Sequence, residues 1–373
     1  MDLSPSLPSK RIEYIDALRG FTMVLVVFAH IETYGFDMYL STIAGRMFSV
    51  FRMPTFFFIS GFIAYKHRKW DVSTWFKMVK MKTRVQVIPT IVFGLIYTYL
   101  VCGTTLTTFF THEAKLGYWF TLVLLEMYII LYSINLLTDA LVKNKDKERI
   151  CSSILLVSTA FILYLLKSPF LRIPSLHVWG DYFCLHKLFV YFMYFALGHI
   201  AAMYKNIFEK ILNNQYITAA IIIIFSIILY VYLTFDDANM NHGISRFYRA
   251  LQGPILGVTG SLIVYNYFRK YQHAFVKEKA IGGVLQTIGR RTLDIYLLHY
   301  FFIPFLPQVG QILSDENRTI VLELIIGISL ALCIIVLCLV ISNILRTSNL
   351  LEYCLFGVKK TTSTKTFHCR VKD

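Results

Sequence analysis

Metal-ligand spacings, nucleotide-binding motifs and internal repeats are all missing from this sequence. Its seven cysteines form no CxxC pair and no HExxH occurs, so neither a zinc site nor a disulfide framework is indicated. Without a P-loop or a GxGxxG, ATP hydrolysis and dinucleotide redox chemistry have no support. No Ser or Cys sits in a recognisable nucleophile elbow. No period of roughly 20–50 residues recurs, which argues against a solenoid. Charge is scarce as well: only 16% of the 373 residues are Asp, Glu, Lys or Arg.

Apolar residues fill the space, at 56% of the chain, which exceeds the globular norm. They fall in runs near the ~20 residues needed to cross a bilayer as a helix. Ten such runs are predicted, near 14–35, 44–66, 85–102, 118–140, 150–167, 186–204, 215–235, 248–268, 292–313 and 320–345. Polar residues interrupt or shorten the first, fifth and ninth. The fold class expected is therefore all-α: a polytopic membrane helix bundle of about ten transmembrane helices. An even number of spans puts both termini on one side. The first span resembles a signal peptide in its charged and apolar parts, but no small-residue cleavage site follows, so it is expected to be retained.

The formal charge of +15 does not point to nucleic acid, because its distribution is one-sided. Of the 37 Lys and Arg, 27 fall on the termini and on the loops after spans two, four, six and eight. The positive-inside bias then makes both termini cytoplasmic. The expected division is a loose tail over 1–10, one membrane domain over 11–346 and a basic cytoplasmic tail over 347–373. The cytoplasmic loop Lys66–Arg84 interleaves seven Lys and Arg with Trp70, Trp75 and Phe76, and is expected to lie in the headgroup interface.

Ionisable groups inside hydrocarbon are costly and are commonly functional. In RIEYIDALRGFTMVLVVFAH (11–30), His30 lies eleven residues after Arg19, or about 20° away around a helix. Asp16 lies about 40° from His30 by the same count. The three share a stripe with Met23, Val26 and Val27 between them, and the stripe should face the bundle interior or a wet cavity. From Asp16 to His30 is about 21 Å, so His30 lies past the midplane if Asp16 is near the cytoplasm. His30 read alone is either a structural histidine bonded to a neighbouring helix or a catalytic one; Asp16 and Arg19 are equally readable as a capping and positioning pair. Glu126 falls about 13 Å into the fourth span, at a depth His30 could share. It is either a protonated core residue or a partner that orients the imidazole, as in a triad. His199 and His299 read as packing residues. Arg52 either meets an anionic group or snorkels to the outer interface. A neutral imidazole can take a proton from a hydroxyl near pH 7, so His30 suits a general base.

Taken together, Arg11, Asp16, Leu18, Arg19, Gly20 and His30 match the opening pattern of a known family, R-x4-D-x-L-R-G with a His 14 residues after the Asp. MPTFFFISGF (53–62), KTRVQVIPT (82–90), GYWFTLVLLEMY (117–128), FVYFMYFALGHIA (189–201) and TLDIYLLHYF (292–301) continue it in order. The chain resembles the acyltransferase-3 family of integral membrane O-acyltransferases over nearly its whole length. The resemblance implies ten membrane helices with cytoplasmic termini, in a bacterial inner membrane. It implies transfer of an acyl group, most often acetyl from acetyl-CoA, to a hydroxyl of a surface or lipid-linked glycan. His30 is then the catalytic residue and Arg19 a required position. One departure is visible. Many members carry an R-x-x-R pair before the Pro of span three, whereas Lys82, Arg84 and Gln86 precede Pro89 here. Lys lacks the bidentate fork of Arg.

The scheme that results has acyl-CoA approaching the basic cytoplasmic face, its phosphates held by Lys80, Lys82, Arg84 and Arg19. The pantetheine arm extends into the bundle, and His30 acts as general base or acyl relay on an acceptor entering from outside. Expected partners are acyl-CoA, a glycan or lipid-linked sugar, and membrane lipids, with homo-oligomerisation left open. No metal, no permanently bound cofactor and no nucleic acid is expected. The rival reading is a glycan or lipid transporter or flippase that uses the same polar stripe as a substrate pathway.

Overall fold

In lipid every backbone polar group must be satisfied within the chain, so apolar runs of this length have to be helical. The computed structural model describes residues 11–38, 42–66, 68–170, 173–234, 242–313 and 320–357. The regular structure among the described residues is helical, with no strand. The N-terminal tail and positions 358–373 of the C-terminal tail lie outside them.

In chain order the helices are α1 (Glu13–His30), α2 (Ile43–Ser49), α3 (Arg52–Ala64), α4 (Val72–Lys82), α5 (Ile88–Leu100) and α6 (Leu106–Thr111). They continue with α7 (Phe120–Leu141), α8 (Lys145–Phe170), α9 (Pro174–Phe183), α10 (Leu185–Met203), α11 (Lys205–Asn213) and α12 (Gln215–Thr234). The last six are α13 (His242–Lys270), α14 (Ala280–Arg290), α15 (Thr292–Leu298), α16 (Pro307–Leu313), α17 (Ile320–Leu345) and α18 (Asn349–Phe356). Eight helical stretches among the described residues are long and apolar enough to cross a membrane. They match eight of the ten expected runs; the eighth run is taken by the 29-residue α13, which is not among those eight.

The ninth run does not form one span. α15 tightens into a 3₁₀ turn over His299–Phe302, the chain extends at Ile303, and α16 begins at Pro307. Pro304 and Pro307 explain the break, since each lacks an N–H and opposes continued helix. The basic aromatic loop is also more regular than expected. α4 runs through a π-helical turn at Thr83–Val87 into α5, so Val72–Leu100 is one helical stretch. Asp71 caps its start by accepting from the Thr74 N–H.

α1 is the central helix: 83% of its apolar window is buried, against none of the α12 window. An all-apolar, unburied helix such as α12 belongs at the lipid face. Two glycine crossings fix the centre. A Cβ on Gly20 would collide with the Leu285 carbonyl of α14, and one on Gly289 would collide with the Asp16 carbonyl of α1. Gly61 of α3 and Gly198 of α10 oppose Phe195 and Phe58 in the same way. Small residues let helix backbones meet where lipid offers no hydrophobic drive to association. Gly20 of the opening motif is therefore a packing residue. Beyond the last span, α18 docks its buried Phe356 in the main apolar cluster beside Phe93 of α5.

Candidate functional site

α1 presents Arg19, Met23, Val26 and His30 along one side of a cavity of about 420 Å³. The four residues follow the helical spacing of the expected stripe. Arg19 and His30 are about 16 Å apart along the helix, so the cavity runs from the N-terminal half of α1 to its C-terminal end. Its Arg19 end also holds Lys82, Gln86, Tyr128 and Thr292, and its His30 end holds Arg52, Trp119, Lys187 and Tyr191. Met53, Phe56, Phe120 and Leu124 supply apolar wall. No Asp or Glu lines it among the described residues, while Arg19, Lys82, Arg52 and Lys187 do.

At the first of these ends, Arg19 donates to the Thr292 hydroxyl at 2.7 Å. Lys82 sits with its ammonium 4.0 Å from the centre of the Tyr128 ring, a cation–π distance. Lys82 and Gln86 reach the cavity where the helix opens into its π turn, and His30 is followed by a second π turn, Ile31–Gly35. Such turns recur at functional sites because they rotate side chains out of ordinary helical register. Lys80 and Arg84, expected beside Lys82, are exposed and do not line the cavity. The side-chain oxygen of Gln86 is buried without a hydrogen-bond partner among the described residues.

At the far end, His30 is half-buried and its Nε2 lies 3.0 Å from the Tyr300 hydroxyl. His299 packs tilted against both: its ring centre is 5.2 Å from that of His30 and 4.0 Å from that of Tyr300. The His299 Nδ1–H donates to the Ile295 carbonyl, because a carbonyl only accepts. The other nitrogen, Nε2, then carries a buried lone pair with no partner among the described residues. The Tyr300 hydroxyl occupies the space that a Cβ on Gly117 would fill, and Gly117 has φ of +101°. Tyr118 donates to the Leu297 carbonyl at 2.9 Å, and the Phe120 N–H donates to the Tyr296 hydroxyl at 3.2 Å. The GYWF turn and the YLLHYF segment thus hold each other around the imidazole. α15 is anchored from below: Asp294 accepts from Arg291, from Arg346 at 2.7 Å and from Ser342 at 2.8 Å.

Besides Lys80 and Arg84, two further expected site residues stand elsewhere. Asp16 is buried and accepts from Arg290 of α14 at 3.1 Å, with Arg11 at 3.6 Å. It does not line the cavity and instead ties α1 to α14 next to the glycine crossing. Glu126 is not brought to His30. The cavity face of α7 carries Thr121, Leu124 and Tyr128, and Glu126 lies about 200° around the helix from Leu124. Lys115 and Cys184 lie within electrostatic reach of its carboxyl. Lys115 lies in the loop before α7, and its ammonium donates to the carbonyls of Phe110, His112 and Asp181. Burial pulls its pKa below the ordinary lysine value, against the opposing pull of Cys184, Asp181 and Glu126.

Sequence reasoning missed Tyr300, Lys187, Trp119, Thr292 and Gln86 as neighbours of the stripe. Tyr300 adjoins a histidine in a membrane run, which was a usable signal. Lys187 and Trp119 looked like ordinary interface residues. Glu32 and Glu323 were also overlooked: both are buried, and Thr42 donates to Glu32.

A family model described as an acyltransferase domain matches residues 12–345, nearly the whole chain. No curated protein and no solved structure gives a match.

Proposed function

We propose, from the premise that the chain belongs to the acyltransferase-3 family of membrane acyltransferases, that it acetylates a sugar hydroxyl with acetyl-CoA as donor. The acceptor is a cell-surface or lipid-linked glycan, and the site works in a bacterial plasma membrane. One observation carries this reading. A single cavity joins the cations Arg19 and Lys82 at one end to the His30 imidazole at the other.

In this reading the CoA phosphates rest against Arg19 and Lys82 through charge-assisted bonds. Lys80 and Arg84, on the exposed face, contribute long-range attraction. The pantetheine arm runs along Met23, Val26 and Phe56, and the thioester reaches His30. In the tautomer whose Nε2–H is donated to the Tyr300 hydroxyl, the His30 Nδ1 lone pair is left to take the acceptor's hydroxyl proton. The hydroxyl oxygen adds to the thioester carbonyl carbon. The tetrahedral intermediate then expels the sulfur, the C–S bond breaks, and the thiolate recovers the proton from the imidazolium. Ester and free CoA are the products.

The test is His30→Ala in the purified protein. General base loss is expected to lower CoA release by about 10²–10⁴-fold. Insertion, monodispersity and melting temperature should stay near wild type. Turnover at the wild-type rate would end the proposal. A transporter would release no CoA at all, so thiol release from the wild-type protein separates the two classes.

A further inference from the structure

We propose that a second cavity, between the loop after α3 and the start of α8, binds a phosphate group. The inference does not depend on the acyl-transfer reading. This cavity measures about 280 Å³ and shares no lining residue with the one that carries Arg19 and His30. The two are neighbours along α7. Tyr128 lines the first and Asn135 the second, about 10 Å further along the helix and about 20° around it. The second cavity therefore lies beyond the Lys82 end of the first.

Cations dominate its wall. Lys66, Arg68, Lys69, Lys145 and Arg149 line it, against the carboxylates of Asp139 and Glu148, so the lining has a formal charge of +3. Three helices end here, α3 at Ala64, α7 at Leu141 and α10 at Met203. A helix C-terminus carries about half a negative charge, so the three offset about half of that surplus. The start of α8, at Lys145, works in the opposite sense. A positive remainder stands. Its donors are open: Lys66, Lys69, Lys145 and Arg149 make no side-chain hydrogen bond or ion pair with a described residue. Arg68 donates to the Met78 sulfur, a weak acceptor. Asp139 is already engaged by the Trp70 backbone N–H, at 2.5 Å.

Membrane topology accounts for the number of these cations. It does not account for two separate segments bringing them around one hollow with a packed floor. Trp70, Ser152 and His199 are buried in that floor. Trp70 packs on Tyr132 at 4.8 Å between ring centres, and Ser152 donates to Asn135 at 3.3 Å. Guanidinium forks and ammonium groups together suit the oxygens of a phosphate. The volume falls below the ~300–1,000 Å³ that encloses a drug-sized molecule, so the cavity takes a phosphate and leaves the rest of the ligand outside. Two sources present this chemistry. One is the headgroup of an anionic phospholipid; basic pockets between membrane helices bind such headgroups. The other is the 3′-phosphate of a CoA whose diphosphate rests at Arg19 and Lys82.

The test uses the full-length protein in nanodiscs. Arg149→Gln and Lys66→Gln alter the site, and Lys143→Gln, at an exposed position outside the cavity, is the charge-matched control. Melting temperature is compared between phosphatidylglycerol and phosphatidylcholine discs. Binding of CoA and of 3′-dephospho-CoA is read by thermal stabilisation in phosphatidylcholine discs. With a lipid source, phosphatidylglycerol raises the wild-type melting temperature, and both site variants lose that rise while Lys143→Gln keeps it. With a CoA source, dephospho-CoA binds the wild type about tenfold more weakly than CoA, the loss of one charge-assisted contact. The site variants then bind the two alike, and Lys143→Gln still separates them. Either pattern supports the inference and identifies the source. Site variants that match Lys143→Gln in both readouts would overturn it. Neither readout needs turnover. A protein that shows one of these patterns but releases no CoA from acetyl-CoA keeps the phosphate site and loses the acyl-transfer reading.

Discussion

Tyr300 and His30 are 270 positions apart in the chain, yet their side chains meet at 3.0 Å, inside the space that Gly117 leaves by lacking a Cβ. The contact joins the last motif of the chain to the first through the turn before α7. It selects which imidazole nitrogen is free for chemistry.

Removing the Tyr300 hydroxyl while keeping the ring tests that selection. Tyr300→Phe is expected to lower CoA release by about tenfold, the effect of one hydrogen bond to a reacting group, with the acetyl-CoA KM unchanged. Gly117→Ala should lower it further, because the new methyl collides with the phenol. Steady-state kinetics with thiol detection reads both; an unaltered kcat in Tyr300→Phe would remove the phenol from the mechanism.

The cytoplasmic cations should act on the donor. Lys82→Gln is expected to raise the acetyl-CoA KM by about tenfold, as expected when a charge-assisted contact is lost. Gln86→Arg should lower that KM, since it puts a guanidinium where a buried amide oxygen now lacks a partner. Lys80→Gln and Arg84→Gln should change it by less than about twofold at physiological salt, because exposed charges are screened. Equal effects at all four positions would place the donor on the open surface instead.

Glu126 gives a negative test of the triad idea. Glu126→Gln is expected to retain activity within about threefold, the scale of a surface-like change rather than of a lost catalytic group. A loss near that of His30→Ala would require α7 to turn in the working enzyme, and would be visible in the same thiol assay.

Lys115 should leave a mark on stability at alkaline pH. Its pKa is lowered in the folded protein by burial, so between that value and the ordinary lysine value near 10.4 the unfolded chain binds the extra proton. Stability therefore rises with pH through that window. Melting temperatures in nanodiscs at rising alkaline pH should show the upward slope, and Lys115→Met should flatten it.

The glycine crossing is the structural counterpart. Gly20→Ala should cost about 1–3 kcal/mol by overpacking α1 against α14, and should depress activity by shifting Arg19 and His30 together. A variant with wild-type melting temperature would show that the helices have room to part.

Several things about this protein were determined by its sequence alone. Apolar runs near 20 residues have one solution in lipid, so helices and most of their positions were legible. Periodicity within one helix is local, so Arg19, Met23, Val26 and His30 could be aligned without a fold, and the structure puts all four on one cavity. The run over 292–313 was read as continuous, although Pro304 and Pro307 within it oppose continued helix. What tertiary structure decided is the rotation of each helix against the next. Glu126 has the depth expected of it but the wrong azimuth, and Asp16 leaves the stripe because Arg290 lies across the glycine crossing. Depth follows from a residue count, since rise per residue is constant. Azimuth follows from backbones meeting at Gly20, Gly289, Gly61 and Gly198, and no single helix contains that information.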